Sequence, residues 1–380
     1  METQLAEQEK TVVGVHLSKR SIRKLLKQMP SRKTVNLNSA NAQANTLLYF
    51  FATRDIDTDQ QRINGVYLDP EDDLWKKGDF PYPNVIYKRG GGGGGKKYKE
   101  KYQTFRKQLE DMGTHYLNSK KSYNKWEINE CLQTFDEVNR HLPKTEIMSS
   151  VETLESWLKN YDTFYLKASK GRRGMQVVRV NKQADGSLKY RHFKRHLRTK
   201  RVQSAEELYH NMKKLFGRRQ LLIQETIHLL TFKEAIVDMR AEVQRNGKGE
   251  LEIAALPVRR SQKRSPITTH ADSYTFEYFF EQFLDYSQSE IAALREEIEH
   301  FLFDVYECVE YLYGQTGEIG IDFALDQNGK LWFIEANSRS AKVSFLNAYD
   351  KDTIDQSFVN LLEYAKLLHQ QQKQQQLTGV

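Results

Sequence analysis

Two carboxylates and an amide, Asp322, Glu335 and Asn337, stand in the stretch EIGIDFALDQNGKLWFIEAN (318–337), and their types and spacing suit metal chemistry. Alternating runs flank Asn328-Gly329, the dipeptide that most favours a two-residue hairpin turn because both central positions need positive φ. A turn there pairs residues whose numbers sum to 657, so Asp322 faces Glu335 and Gly320 faces Asn337. Period two puts Ile321, Phe323, Leu325, Trp332, Ile334 and Ala336 on one apolar face, and Asp322, Glu335 and Asn337 on the other. Like charges directly opposed on a sheet are destabilising, and a bound cation offsets them. Mg²⁺ suits this set, since it takes oxygen ligands and commonly binds through one or two carboxylates plus phosphates. On these residues alone, a polar face that simply meets water is the alternative.

Further upstream are groups that could meet an anion. Lys167 alternates with Phe164 and Leu166 in an apolar strand, and a glycine-bracketed turn, Gly171-Arg172-Arg173-Gly174, follows it. A lysine facing a loop rich in backbone N–H groups supplies a point charge and donors together; a solvated strand-end lysine is the plainer reading. Lys125, in SYNKWEI, has the same two readings. Gln224 and Glu225 interrupt the end of LLIQETI, where backbone amides could bind an adenine edge. Asp238 and Arg240 share one face of the next strand, so that Arg240 could clamp phosphate oxygens with Asp238 orienting it; a cross-strand ion pair is the alternative. The densest basic run, RHFKRHLRTKR (191–201), lacks the aromatic interleaving of a nucleic-acid surface and reads as a solvated face. No Ser-His-Asp set, histidine pair, Walker loop or Rossmann fingerprint is present.

These groups need a scaffold, and 380 residues suffice for two or three domains. The chain carries 58 Lys and Arg against 50 Asp and Glu, an excess of +8 compatible with a nucleotide's phosphates. Its mean hydropathy of −0.72 and lack of a long apolar run argue against a membrane span. METQLAEQEK has no signal-peptide core, and two cysteines are too few for a disulfide framework, so a cytoplasmic location is expected. Residues 11–18 and 47–52 read as strands, 19–28 as a helix and the Asn-rich 31–45 as a loop. FPYPNVIYKR is a strand ending in the glycine run 90–95, read as a flexible spacer, and a charged helix follows over 96–112. The middle third is an antiparallel meander (163–169, 175–180, SLKYRHF) with helices at 151–159 and 205–216. Strands at 220–227, 235–244 and 250–260 and a long helix, 289–313, lead into the hairpin. A last helix ends near Leu368, and the Gln-rich 370–380 has nothing to bury and reads as disordered.

Taken in order, FPYPNVIYKR, YNKWEINECL, HLPKTEI, FYLKASKGRRGMQVVRV, LLIQETIHL, VDMRAEVQRNGKGE and GEIGIDFALDQNGKLWFIEAN resemble the ATP-grasp superfamily and, within it, the YheC/YheD-type endospore coat-associated proteins, over about residues 47–345. The resemblance implies an α+β ATP-grasp fold, two subdomains gripping ATP between antiparallel sheets, preceded by a smaller α/β domain. The divisions expected are a strand, helix and loop over 1–46, an N-terminal domain over 47–118, and an ATP-grasp domain over 119–369 with its lid at about 150–228. It implies that Lys125 and Lys167 contact the nucleotide phosphates and that Gly171, Arg172 and Gly174 belong to the loop closing over them. Gln224, Glu225 and Ile227 correspond to the adenine hinge, and Arg240 to the arginine aimed at the transferred phosphate. Asp322, Glu335 and Asn337 correspond to the ligands of two Mg²⁺ ions, with Mn²⁺ as a substitute and Glu335 as the bridge. The reaction implied is ATP-dependent ligation of a carboxylate to an amine or thiol through an acyl phosphate, in spore-coat or peptide modification. A kinase and a non-catalytic ATP-binding coat protein are the alternatives. Departures cluster on the substrate side: KGRRG is bulkier than the usual loop, SRSAKV follows Asn337 without Pro-Gly, Thr269, His270 and Ala271 stand where an Asn and glycines are usual, and Tyr87-Lys88-Arg89 replaces Tyr-Asn-Arg.

Overall fold

The computed structural model describes residues 10–90, 95–118, 120–171, 177–193, 197–262 and 272–378. Three sheets carry the chain. The N-terminal sheet has Val12–His16 at its centre, parallel to Leu47–Phe51 on one side and to Val85–Lys88 on the other. Alternation along Leu47–Phe51 serves both faces: Leu48 and Phe50 pack under Ile22, Leu25 and Leu37, whereas Tyr49 and Phe51 pack against Phe105 and Leu109. The segment before residue 46 thus supplies the sheet's central strand, and the expected boundary at 46/47 falls inside one sheet.

Residues 31–45, expected as a loop, are mostly helix. Arg32–Ala44 is capped by Ser31, whose side chain accepts from the Thr34 N–H, and ends at Asn45 in the left-handed region. Thr34, Leu37, Ala40 and Ala44 fall on one face and are buried. The polar Asn residues that suggested a loop lie largely on the other faces. Helix Lys351–Thr378 packs against this one, and it also overturns the expected disordered tail, since it continues through the glutamines. Gln is a good helix former, and the extension is tethered, with Thr11 Oγ1 at 3.0 Å from His369 Nδ1 and the Gln372 amide donating to the Met112 carbonyl.

Gly90, first of the glycine run, is not a mere spacer: its N–H donates to the His16 carbonyl, and a Cβ there would sit 2.6 Å from the Ser18 nitrogen. Residues 91–94 lie outside the described part.

The second sheet is antiparallel, in the order Leu197–Val202, Leu188–Phe193, Val177–Lys182, Thr163–Ala168, Leu221–Glu225, Thr145–Ile147. Helices Val151–Asn160 and Ala205–Phe216 cover its apolar face through Leu154, Trp157, Leu208 and Met212. The described residues of the basic run lie in its two outer strands, Leu188–Phe193 and Leu197–Val202, where Arg201 pairs with Asp185; residues 194–196 are not described.

The third sheet runs Asp272–Tyr274, Val258–Arg260, Ala235–Arg245, Glu318–Leu325, Leu331–Asn337, and packs on the long helix Gln288–Tyr313. That helix starts with a capping box from Ser287 and Glu290. Among the described residues no helix is long and apolar enough to cross a membrane.

Candidate nucleotide and metal site

The hairpin at one end of the third sheet differs from its expected form in two places that cancel. Asn328 does not adopt positive φ; Gly329 does, at 81°. The loop is therefore three residues long, with Asp326 N–H donating to the Lys330 carbonyl, and Gly329 N–H to the Asp326 carbonyl. The Asp326 carboxylate holds it together, accepting from the N–H groups of Asn328 and Lys330 and from Trp332 Nε1. This shifts the register by one, to Leu325 opposite Leu331 and Phe323 opposite Phe333. A bulge at Ile334 takes up the extra residue, after which Asp322 lies opposite Glu335 and Gly320 opposite Asn337. The apolar face is accordingly Ile321, Phe323, Leu325, Leu331, Phe333 and Ala336. Trp332 and Ile334 are only half-buried and lie outside that core cluster, contrary to the simple alternation.

Cations compensate the two opposed carboxylates. Asp322 is buried and accepts both arms of the Arg240 guanidinium, its register partner on Ala235–Arg245. Arg259 reaches the same carboxylate at 3.1 Å. Arg259 also forks onto Asp238, opposite it in register, at 2.6 and 2.8 Å. Asp238 is thus held by Arg259 rather than by Arg240 as expected, though its charge adds to the field at Arg240. The reason is register: the cross-strand neighbours of Asp238 and Arg240 bring opposite charges closer than two residues along one strand can. Burial works against the Asp322 charge, but Arg240 and Arg259 outweigh it and hold the carboxyl below its usual range. Gly320 permits this crowding, for a Cβ there would meet Ser340 Cβ at 2.9 Å and Arg240 Cδ at 3.6 Å.

Glu335 receives Lys125 Nζ at 2.9 Å. Lys125 opens the helix Lys125–Leu132, capped by Asn124, and its backbone N–H donates to the Ser169 carbonyl at the end of Thr163–Ala168. That bond brings the helix to the strand that carries Lys167. Lys167 Nζ donates to Gln224 Oε1 on the neighbouring strand, and burial, reinforced by the Lys125 charge and opposed by Glu335, pulls its pKa down to about 8. Gly171 follows that strand; Arg172 and Gly174 lie outside the described residues.

The hinge is pinned at one end and open at the other. Glu225 closes on Lys144, donating its N–H to that residue's carbonyl and accepting the Lys144 N–H at 2.7 Å, so the Glu225 amide is not available to a ligand. Beyond it, Glu225 to His228 and the turn residues Asp326 to Asn328, with Trp332, line a cavity of about 280 Å³. Ile227 is in this wall, and beside it the buried Thr226 hydroxyl has no hydrogen-bond partner among the described residues, which suits a polar edge of a ligand. Thr226 and Arg259 are the residues that sequence reasoning missed. Arg259 was signalled by its place in a strand that can register against Asp238; Thr226 had no signal beyond adjacency to the hinge.

The residue types suit Mg²⁺, although both Asp322 oxygens accept from Arg240, so a metal bound there would displace the guanidinium. Asp322, Glu335 and Asn337 offer only oxygens, and Asn337 turns its Nδ2 toward Asp322 at 3.3 Å, leaving Oδ1 as its acceptor. The cations on both carboxylates supply the compensating charge that the opposed pair requires.

A family model for the YheC/D-like ATP-grasp proteins matches residues 113–368. The endospore coat-associated protein YheD of Bacillus subtilis (strain 168) is 27% identical over 338 residues, covering 87% of this chain and 73% of YheD. YheC of the same organism is 22% identical over 302 residues, covering 78% and 81%. Among solved structures, the ATP-grasp ligase PsnB complexed with precursor peptide PsnA2 and AMPPNP superposes with a TM-score of 0.54 at 12% identity, over 95% of this chain and 99% of that one. The D-alanine-D-alanine ligase from Coxiella burnetii gives 0.50 at 13% identity, over 96% and 98%. The family model spans more than half of the chain, and the chain belongs to the YheC/D-like ATP-grasp family.

Proposed function

We propose that the protein is an ATP- and Mg²⁺-dependent ligase that joins a carboxylate to an amine or thiol. The observation that carries this reading is the convergence of Lys125, Arg240 and Arg259 on two opposed carboxylates beside Lys167 and the hinge cavity. Phosphoryl transfer asks the protein for positioning and charge and for little covalent chemistry, and these groups offer that. Bound metal would supply Lewis acidity at the phosphate oxygens. In this reading Lys125 and Lys167 hold phosphate oxygens, Arg240 faces the transferred phosphate, and Thr226 and Ile227 line the adenine side. A substrate carboxylate oxygen attacks the γ-phosphorus and ADP leaves; the acceptor nitrogen or sulfur then attacks the acyl carbon, loses its proton and expels inorganic phosphate. Similarity to proteins named as ligases supports ligation over simple phosphorylation, and the names of YheD and YheC support a setting at the spore coat.

The test is ADP release from ATP and Mg²⁺ in a metabolite extract, comparing the unaltered chain with Glu335→Gln. Release that depends on Glu335, with phosphate free in solution, supports a ligase. Phosphate retained on an acceptor makes the protein a kinase, and release that is absent or unaffected by the substitution sinks both.

A further inference from the structure

A second cavity, also of about 280 Å³, lies apart from the nucleotide hinge, where the N-terminal helices meet the end of the parallel strands. Arg20, Lys24, Lys33, Arg89 and Lys342 line it, and among the described residues no carboxylate does. We infer that this cavity binds a compact acid carrying at least two negative charges, as carboxylates or phosphate, and that this acid is a substrate of the enzyme; only the second clause rests on the ligase reading.

The charges are arranged in two tiers. Arg89 and Lys342 form the inner tier and are held by Glu318: Arg89 Nη1 at 2.7 Å and Lys342 Nζ at 3.0 Å, with Glu242 at 3.4 Å from Lys342. Tyr87 also donates to Glu318. Two carboxylates thus answer two cations. Arg20, Lys24 and Lys33 form the outer tier on the helices Lys19–Leu25 and Arg32–Ala44, and they leave the wall with a positive excess. Burial, with the Arg89 charge adding to it and Glu318 and Glu242 opposing, pulls Lys33 down to about 8. Phe50, Leu37 and Phe358 give the floor an apolar surface for a carbon skeleton.

Lys342 shows that the site is built at a cost. Its side chain is 1% exposed, and its backbone stands at φ 51°, ψ 20°, a conformation that a residue with a Cβ adopts reluctantly. A strained backbone under a fully buried charge is the kind of local conflict that clusters at functional sites. The cluster behind the cavity and the candidate phosphate site share two strands. Glu318, Gly320 and Asp322 follow one another on one face of a strand, as do Arg240 and Glu242 on its neighbour. Glu318 is four residues from Asp322, roughly 13 Å along the strand.

Calorimetric titration of the full chain with citrate, and separately with inorganic phosphate, tests this. Expected is saturable binding of at least one probe, weakened tenfold or more in Lys33→Met/Arg20→Gln and restored toward the original by Lys33→Arg with Arg20 intact. Lys167→Met should leave that binding within twofold while weakening ADP, and the cavity variant should do the reverse; thermal melts establish that each variant folds. The stronger probe names the acid as carboxylate or phosphate. Binding of neither, or binding lost in Lys167→Met but kept in the cavity variant, overturns the proposal. Probe binding without ADP release would retire the ligase reading alone, whereas Glu335-dependent ADP release without probe binding would retire this one alone.

Discussion

Two charge clusters stand on one face of the third sheet, and they are built to different ends. Around Glu318 the ion pairs are sealed: Glu318, Glu242 and Lys342 are each at most 2% exposed. Around Glu335 they are half-open, with the Glu335 and Lys125 side chains at 27% and 20%. A sealed cluster cannot exchange partners without leaving a buried charge alone. A half-open one can hand its lysine to an incoming phosphate and its carboxylate to a cation at little cost. The first therefore fixes the N-terminal sheet to the central one, and the second is free to change partners.

The largest effect that separates them is on stability. Glu318→Ala strands Arg89 and Lys342 together and should cost about 3–5 kcal/mol, read from urea unfolding; a loss near zero would mean that the sealed cluster is not sealed. Asp322→Asn lies between the extremes, since Asp322 is buried and shared by Arg240 and Arg259. It should abolish Mg²⁺-dependent nucleotide binding and also lower stability by about 1.5–3 kcal/mol, the range for hydrogen bonds to charged groups.

Lys167 gives a pH test. With its pKa near 8 in the free protein, it is charged below that value, and nucleotide phosphates favour the charged form. ADP affinity should therefore be greatest below pH 8 and fall above it, by at most about tenfold per pH unit. The same depression makes the folded state bind fewer protons than the unfolded chain between about 8 and 10.5, so stability from this group rises across that window. Lys167→Arg should flatten the affinity profile, and an equally steep profile in that variant would assign it to another group. Smallest on stability is Glu335→Gln, within about 1 kcal/mol, although Mg²⁺-dependent nucleotide binding should vanish. Unfolding of this variant would mean that Glu335 belongs with the sealed cluster.

What the sequence revealed follows the range of the interactions. Asp322 and Glu335 could be set opposite each other because both lie within one hairpin, where alternation and a turn signal suffice. Arg240 on Asp322 joins strands separated by two helices and several loops, and Arg259 on Asp238 joins strands with a third strand between them in sequence, so packing had to fix both registers. The helix Arg32–Ala44 was masked by its asparagines, and the Gln-rich end of the last helix by composition, because both owe their order to each other's apolar faces and to the N-terminal sheet. The acidic-ligand cavity was invisible for the same reason: Lys33, Arg89 and Lys342 are scattered over more than 300 residues and meet only in three dimensions.

The bulge at Ile334 has a consequence for how such hairpins can vary. The lengthened turn and the bulge act like two frameshifts of opposite sign: one residue gained by the loop is returned before the carboxylates are reached. The turn end of the hairpin can therefore change its length, and with it the wall of the hinge cavity, while Asp322 and Glu335 keep their places. A search that fixed the count between the turn and the carboxylates would reject relatives that had kept the chemistry intact.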